Sequence, residues 1–123
     1  MTDEQALTIA NEWIAAWNSH DIDRILSHYS DDVELTSALV SGILGPGQDT
    51  VRGKPALRAY FLRALEAFPD LTFDFWGAYP GHESVIVHYE SVRRLRAAEF
   101  MRVDSSGRVN QVVAHYASPA PTA

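Results

Sequence analysis

The stretch that decides the fold runs Ala97-Ala98-Glu99-Phe100-Met101-Arg102-Val103, then Asp104-Ser105-Ser106-Gly107, then Arg108-Val109-Asn110-Gln111-Val112-Val113-Ala114-His115-Tyr116-Ala117. Residues with side chains suited to a pleated surface flank four residues that favour tight turns, the signature of a β-hairpin. Working backward, Ser84 to Val92 reads as a further strand. Leu71 to Tyr79 reads as another, with Leu71, Phe73 and Phe75 on one face and Pro80-Gly81 turning the chain. The C-terminal part is therefore β.

The N-terminal part is helical. Thr2 and Gln5 have the spacing of a capping box ahead of a helix over about 3–18, where Leu7, Ala10, Trp13, Ile14 and Trp17 recur on one face. Asp21 caps a short second helix with Ile22, Ile25, Leu26 and Tyr29 on its apolar side. Ser30-Asp31-Asp32 reads as a turn and Val33 to Thr36 as a short strand. Gly42 to Gly53 reads as a loop, because it is rich in glycine. Pro55 suits the first turn of a third helix carrying Leu57, Tyr60, Phe61, Ala64, Leu65 and Phe68, and Pro69 blocks its continuation. Helices first and long strands after predict an α+β domain, a curved antiparallel sheet wrapped over three N-terminal helices. The single domain spans 1–117, and 118–123 is a flexible tail.

Composition excludes several functions. The 123 residues suit one domain, and the absence of cysteine rules out disulfides, thiolate metal sites and a Cys nucleophile. The net charge of -6 opposes nucleic-acid binding, and the one basic cluster, Arg93, Arg94 and Arg96, reads as a solvated hairpin tip. The acidic start Met1-Thr2-Asp3-Glu4 lacks the pattern of a signal peptide, and no apolar run approaches the ~20 residues of a membrane span. The expected location is the cytoplasm. No metal-ligand spacing and no phosphate-binding glycine pattern occurs, so neither metal nor cofactor is expected.

Three segments resemble the nuclear-transport-factor-2-like superfamily, which includes ketosteroid isomerases, limonene-type epoxide hydrolases and SnoaL-like polyketide cyclases. They are His20 to Ile25 leading to Tyr29-Ser30-Asp31-Asp32-Val33, then Val51-Arg52-Gly53-Lys54-Pro55-Ala56-Leu57, then Phe100 to Val109. The resemblance covers about residues 4–116 and implies a cone-shaped fold with a central pocket. It also implies a homodimer through the outer sheet face, where Val109, Gln111, Val113 and His115 are expected beside Val85, Val87 and Tyr89. By position, the ketosteroid isomerase base falls on Ser37, its oxyanion Tyr on Trp13 and its oxyanion acid on Glu99. The epoxide hydrolase Arg and Asp fall on His88 and Glu90, and its last-strand Asp on Ala114. A SnoaL-like cyclase pairs a pocket His with a carboxylate, which His88 with Glu90 or Glu99 resembles.

Strand side chains alternate faces, so His88 and Glu90 point the same way. A hairpin turning near Arg94-Leu95 sets Glu90 opposite Glu99 and His88 opposite Met101. Glu99, His88 and Glu90 are then the candidate catalytic residues. The candidate substrate-binding residues are Trp13, Trp17, Tyr29, Ser37, Phe61, Phe73, Met101, Val112, Ala114 and Tyr116. Burial and a neighbouring carboxylate raise a carboxyl pKa, leaving one acid protonated to face a carbonyl while His88 moves a proton. In the competing placement both Glu side chains face outward and pair with Arg93, Arg96 or Arg102 as surface charges. Two functions follow. One is a cofactor-free isomerase, cyclase or lyase for a small apolar carbonyl compound; the other is a non-catalytic domain that binds a small ligand or dimerises.

Overall fold

A computed structural model describes residues 1–121; Thr122 and Ala123, the end of the expected tail, lie outside the described residues. Helix α1 (Asp3–Ser19) begins at the predicted capping box, with Thr2 Oγ1 accepting from Gln5 N at 3.1 Å and Gln5 Oε1 from Thr2 N at 2.9 Å. Its buried stripe is Ala6, Ala10, Trp13, Ile14, Ala16 and Trp17; Leu7, expected on that stripe, is exposed. Helix α2 (Ile22–Leu26) is capped by Asp21, which accepts from the backbone N–H groups of Asp23 and Arg24.

Strand β1 (Tyr29–Thr36) takes in Tyr29 and the Asp31-Asp32 pair, which the sequence reading had placed on a helix and in a turn. The expected glycine-rich loop is shorter than 42–53: its first residues, Gly42 to Leu44, end helix α3 (Ala38–Leu44), and its later part holds a short strand β2 (Thr50–Arg52). Ser37 starts α3 by accepting from Leu39 N at 3.2 Å, and Val40 is fully buried on its inner side. A polar cap followed by apolar residues at helical spacing thus outweighs one helix glycine, which costs about 1 kcal/mol. Gly53, at φ 84°, makes a turn into α4 (Lys54–Ala67) that side chains resist. The helices therefore number four rather than three among the described residues.

Strands β3 (Asp74–Gly81), β4 (Ser84–Glu90), β5 (Arg96–Val103) and β6 (Val109–Ala117) follow, and the sheet order is β2-β1-β6-β5-β4-β3. All neighbours are antiparallel except β1 and β6, which run parallel and join the two ends of the chain. Pro80 and Gly81 still pair with Val85 and Ser84, so the turn falls at His82-Glu83 rather than at Pro80-Gly81. The concave face of the sheet packs on the helices in one core that runs from Ala6 to Val112. Among the described residues, no helix is long and apolar enough to cross a membrane.

The β4–β5 register corrects the expected one. Glu90 pairs with Arg96, Val87 with Glu99 and Val85 with Met101. The connection closes through Ser91 N to Leu95 O at 2.8 Å, around a short 3-10 turn (Val92–Arg94) in which Arg93 and Arg94 take φ of 56° and 59°. Its tip is thus centred on Arg93, not between Arg94 and Leu95. The pairing slips by an odd number of residues, and an odd slip exchanges the two faces of a strand. Val85, Val87 and Tyr89 therefore lie inside, at no more than 1 % exposure, and His88 and Glu90 lie on the outer face. Val109 also turns inward, because the ladder shifts between Arg102 and Val103, leaving Gln111, Val113 and His115 outside.

Candidate functional site

The cone holds a partly open cavity of ≈ 60 Å³ between the concave sheet face and the helices. That is several times the about 10–15 Å³ that one water needs. Helix α1 contributes Trp13 and Trp17, one turn apart; α4 contributes Tyr60, Phe61 and Ala64, with Phe68 just past its end; α3 contributes Leu39 and Ile43. From the sheet come Tyr29 and Leu35 on β1, Tyr89 on β4, Glu99 on β5, and Ala114 and Tyr116 on β6.

The walls are fixed by packing and by backbone clamps. Trp13 stacks on Phe73 with ring centroids 5.7 Å apart and meets Tyr89 edge-on at 5.2 Å, while Trp17 meets Phe61 edge-on at 4.7 Å. Phe73 is held from α1: Asn18 Nδ2 donates to Phe73 O at 3.0 Å, and Phe73 N donates to Asn18 Oδ1 at 2.7 Å. The His20 ring lies 2.7 Å from Leu71 O through Nε2, so this histidine is tied to the segment entering β3 instead of standing free in solvent.

Among the described residues Glu99 is the one carboxyl lining this cavity, and it is 5 % exposed. Tyr89 Oη donates to Glu99 Oε1 at 2.7 Å. Among the described residues no Lys, Arg or His forms an ion pair with it. Burial penalises its anion and pushes its pKa up to about 7, against the smaller lowering effect of the Tyr89 bond. The phenols around it respond likewise. Burial first, and the nearby Glu99 charge second, push Tyr60 up to about 12 and hold Tyr29, Tyr89 and Tyr116 well above the ordinary phenol range. All four phenols thus remain O–H donors at any pH near neutrality. Trp13 Nε1 donates to Tyr29 Oη at 2.8 Å, whereas Trp17 Nε1 is buried with no hydrogen-bond partner.

Of the residues expected from the sequence, Trp13, Trp17, Tyr29, Ser37, Phe61, Phe73, Ala114, Tyr116 and Glu99 meet at this cavity. Met101 and Val112 do not line it; both are fully buried in the surrounding core. His88 and Glu90 are turned away by the register slip. His88 stands against the ring of Trp76 on the outer face, centroids 5.0 Å apart, and Glu90 lies 3.9 Å from Arg94. The sequence reading missed Tyr89, the direct partner of Glu99, and Tyr60. Tyr89 shares parity with Val85 and Val87, and that apolar row was the available signal for the inner face of β4. It also missed Leu39 and Ile43, since no helix was expected over 38–44 and Gly42 onward was read as loop. Among the described residues no cluster of three or more His, Asp or Glu has metal-binding geometry.

Comparison with protein-family profiles matches residues 10–117 to the SnoaL-like domain. A solved SnoaL-like protein of unknown function from Burkholderia thailandensis E264 is 39% identical, with a TM-score of 0.89 over 96% of this chain and 99% of that chain. A putative isomerase of the SnoaL-like family from Agrobacterium tumefaciens C58 shares the fold, with 18% identity and a TM-score of 0.74 over 94% of this chain and 99% of that chain. The epoxide hydrolase/cyclase-like enzyme SalBIII, of pyran ring formation in the polyether salinomycin, shares the fold with 20% identity and a TM-score of 0.74 over 95% of each chain. The curated proteins contain no match. On the profile match and the close relative, this chain belongs to the SnoaL-like domain family.

Proposed function

We propose that the cavity binds a small apolar carbonyl compound and that Glu99 transfers a proton on it without a cofactor, in an isomerisation, cyclisation or elimination. One observation carries the proposal. Glu99 is a lone carboxyl buried among aromatic rings, with no cation beside it among the described residues, and that burial pushes its pKa up to about 7. An acid–base group works best when its pKa lies near the working pH, because it is then present in both forms. The ionised Glu99 takes a proton from the carbon beside the carbonyl, and the C–H electron pair becomes the enolate. A phenol O–H of the cavity, which stays protonated at this pH, holds the enolate oxygen. The new carboxylic acid returns the proton to a different carbon and is again a carboxylate. Proton and charge balance, and no other reactant is consumed. Two neighbours of the same fold, one described as a putative isomerase and one as cyclase-like, support this class of chemistry.

The test is deuterium uptake at the carbons beside the carbonyl of cyclohexanone, followed by proton NMR in heavy water. The protein accelerates uptake, with a rate that rises through about neutral pH, and Glu99→Gln lowers it by about a hundredfold or more. Uptake unchanged in Glu99→Gln would overturn the proposal. Ser37 and Ala114, uncharged where two related enzyme families carry carboxylates, favour a second reading as a binding domain. Saturable cyclohexanone binding with no uptake at any pH would establish that reading instead. We also propose that the outer sheet face pairs two copies of the chain, now through Trp76, Tyr79 and Ile86, which are exposed.

A further inference from the structure

We infer, on the reading of the cavity proposed above, that its substrate is a single-ring ketone or an open-chain one of similar bulk, and that Ala114 is the residue that sets this limit.

The free space beside Glu99 lies on one side of it. On the inner sheet face Glu99 is paired with Val87 on β4 and with Ala114 on β6. Around it Val87, Tyr89, Ala97, Met101 and Val112 keep at most 1 % of their surface, so the wall is filled on the β4 side and along β5. Ala114 and Tyr116 line the cavity and stay partly exposed. The space next to the carboxyl is therefore the space over β6. Residues opposite one another on neighbouring strands hold their Cβ atoms about 4.5–5.5 Å apart, and alanine has no side-chain atom beyond Cβ. A molecule lying on Ala114 thus touches the Glu99 side chain, and a longer side chain at 114 would take its place.

Volume sets the size of that molecule. A cavity of ≈ 60 Å³ holds about four to six waters, which as liquid fill about 120–180 Å³. An apolar cavity of about 150 Å³ takes up benzene, so one six-membered ring fills this one and a second fused ring overfills it. The facing wall resists expansion, because its rings are packed on one another: Trp17 lies 4.7 Å from Phe61 and 5.6 Å from Phe73 between centroids. Phe68, Leu71, Ser91 and Val92 border both the cavity and a groove outside it, so a thin substituent can leave there. The ring that carries the reacting carbon stays inside, where Glu99 is.

Deuterium uptake from acetone, cyclohexanone and 2-decalone tests this in the wild-type chain, Ala114→Leu and Ala114→Val, each rate divided by the uncatalysed rate in the same buffer. The wild type is expected to favour cyclohexanone over 2-decalone by about tenfold or more, the scale on which a pocket of fixed size discriminates. The ratio of cyclohexanone to acetone uptake is expected to fall by about tenfold or more in Ala114→Leu and by less in Ala114→Val, since the bulkier ketone is the first to be displaced from Glu99. A general loosening of the fold would lower both ketones alike and leave that ratio where it was. An unchanged ratio in both variants, or 2-decalone exchanged by the wild type as fast as cyclohexanone, would overturn the inference. Should Ala114→Leu fail to fold, Ala114→Val and the wild-type comparison decide. Uptake that depends on Glu99 but ignores the size of the ketone removes this inference alone. No Glu99-dependent uptake from any of the three ketones removes the proposed function and this inference with it.

Discussion

Glu99 and Tyr89 meet diagonally across two paired strands, Glu99 opposite Val87 and Tyr89 opposite Ala97, and their bond is the chemical centre of the molecule. Burial raises Glu99 from 4.5 to about 7, so the folded chain holds its proton more tightly than the unfolded chain does between those values. The folded state then binds more protons than the unfolded state, and stability falls as pH rises through that window. The favourable contribution is complete below 4.5 and gone above about 7, and the integrated cost is about 3 kcal/mol. Chemical denaturation at a series of pH values should show this slope, and Glu99→Gln should flatten it. Tyr89→Phe removes the one bond that favours the carboxylate, so it should move the Glu99 midpoint upward, which a carbon-detected NMR titration of the side chain would read. A Tyr89→Phe midpoint at or below the wild-type one would mean that the phenol does not hold the anion.

At the scale of elements, two devices place the site. The first is the Asn18 clamp, whose two bonds to the Phe73 backbone fix the cavity wall against the end of α1. Asn18→Ala should cost about 1–3 kcal/mol in denaturant unfolding and should loosen ligand binding, because both partners are backbone groups left short of a bond. The second is the Ser91–Leu95 connection, which sets the β4–β5 register. Capping at Thr2 and Asp21, the Trp13/Trp17 stripe, Pro55 and the Asp104–Gly107 turn are local signals, and each was legible in the sequence. The register was not. Two consecutive arginines at positive φ form this tip, and positive φ is a conformation the residue type disfavours. No turn motif marks the centre, so Glu99 was assigned to the cavity while His88 and Glu90 were assigned there with it. The row Val85, Val87 and Tyr89 carried the correct face, but Ile86 and Val92 gave the opposite row an apolar look of its own. Helix α3 was hidden for a related reason: Gly42 and Gly45 flank Ile43 and Leu44, and the glycines spoke louder than the cap at Ser37.

For the molecule as a whole, the fold separates two apolar surfaces. The concave one lines the cavity; the convex one leaves Trp76, Tyr79 and Ile86 exposed beside His88. If two copies pair there, Ile86→Glu should convert a dimer to a monomer in sedimentation while leaving the Glu99 titration in place, and a wild-type chain that is monomeric at high concentration would remove that proposal alone. The cavity account stands apart from it and depends on one electrostatic consequence of burial, a Glu99 carboxyl whose pKa is pushed up toward neutrality. The side-chain carboxyl carbon of Glu99, followed by NMR against pH in the intact protein, tests it most directly. A single transition centred near 7 is the predicted result; a transition near 4.5, the value of a solvated glutamate, would contradict it.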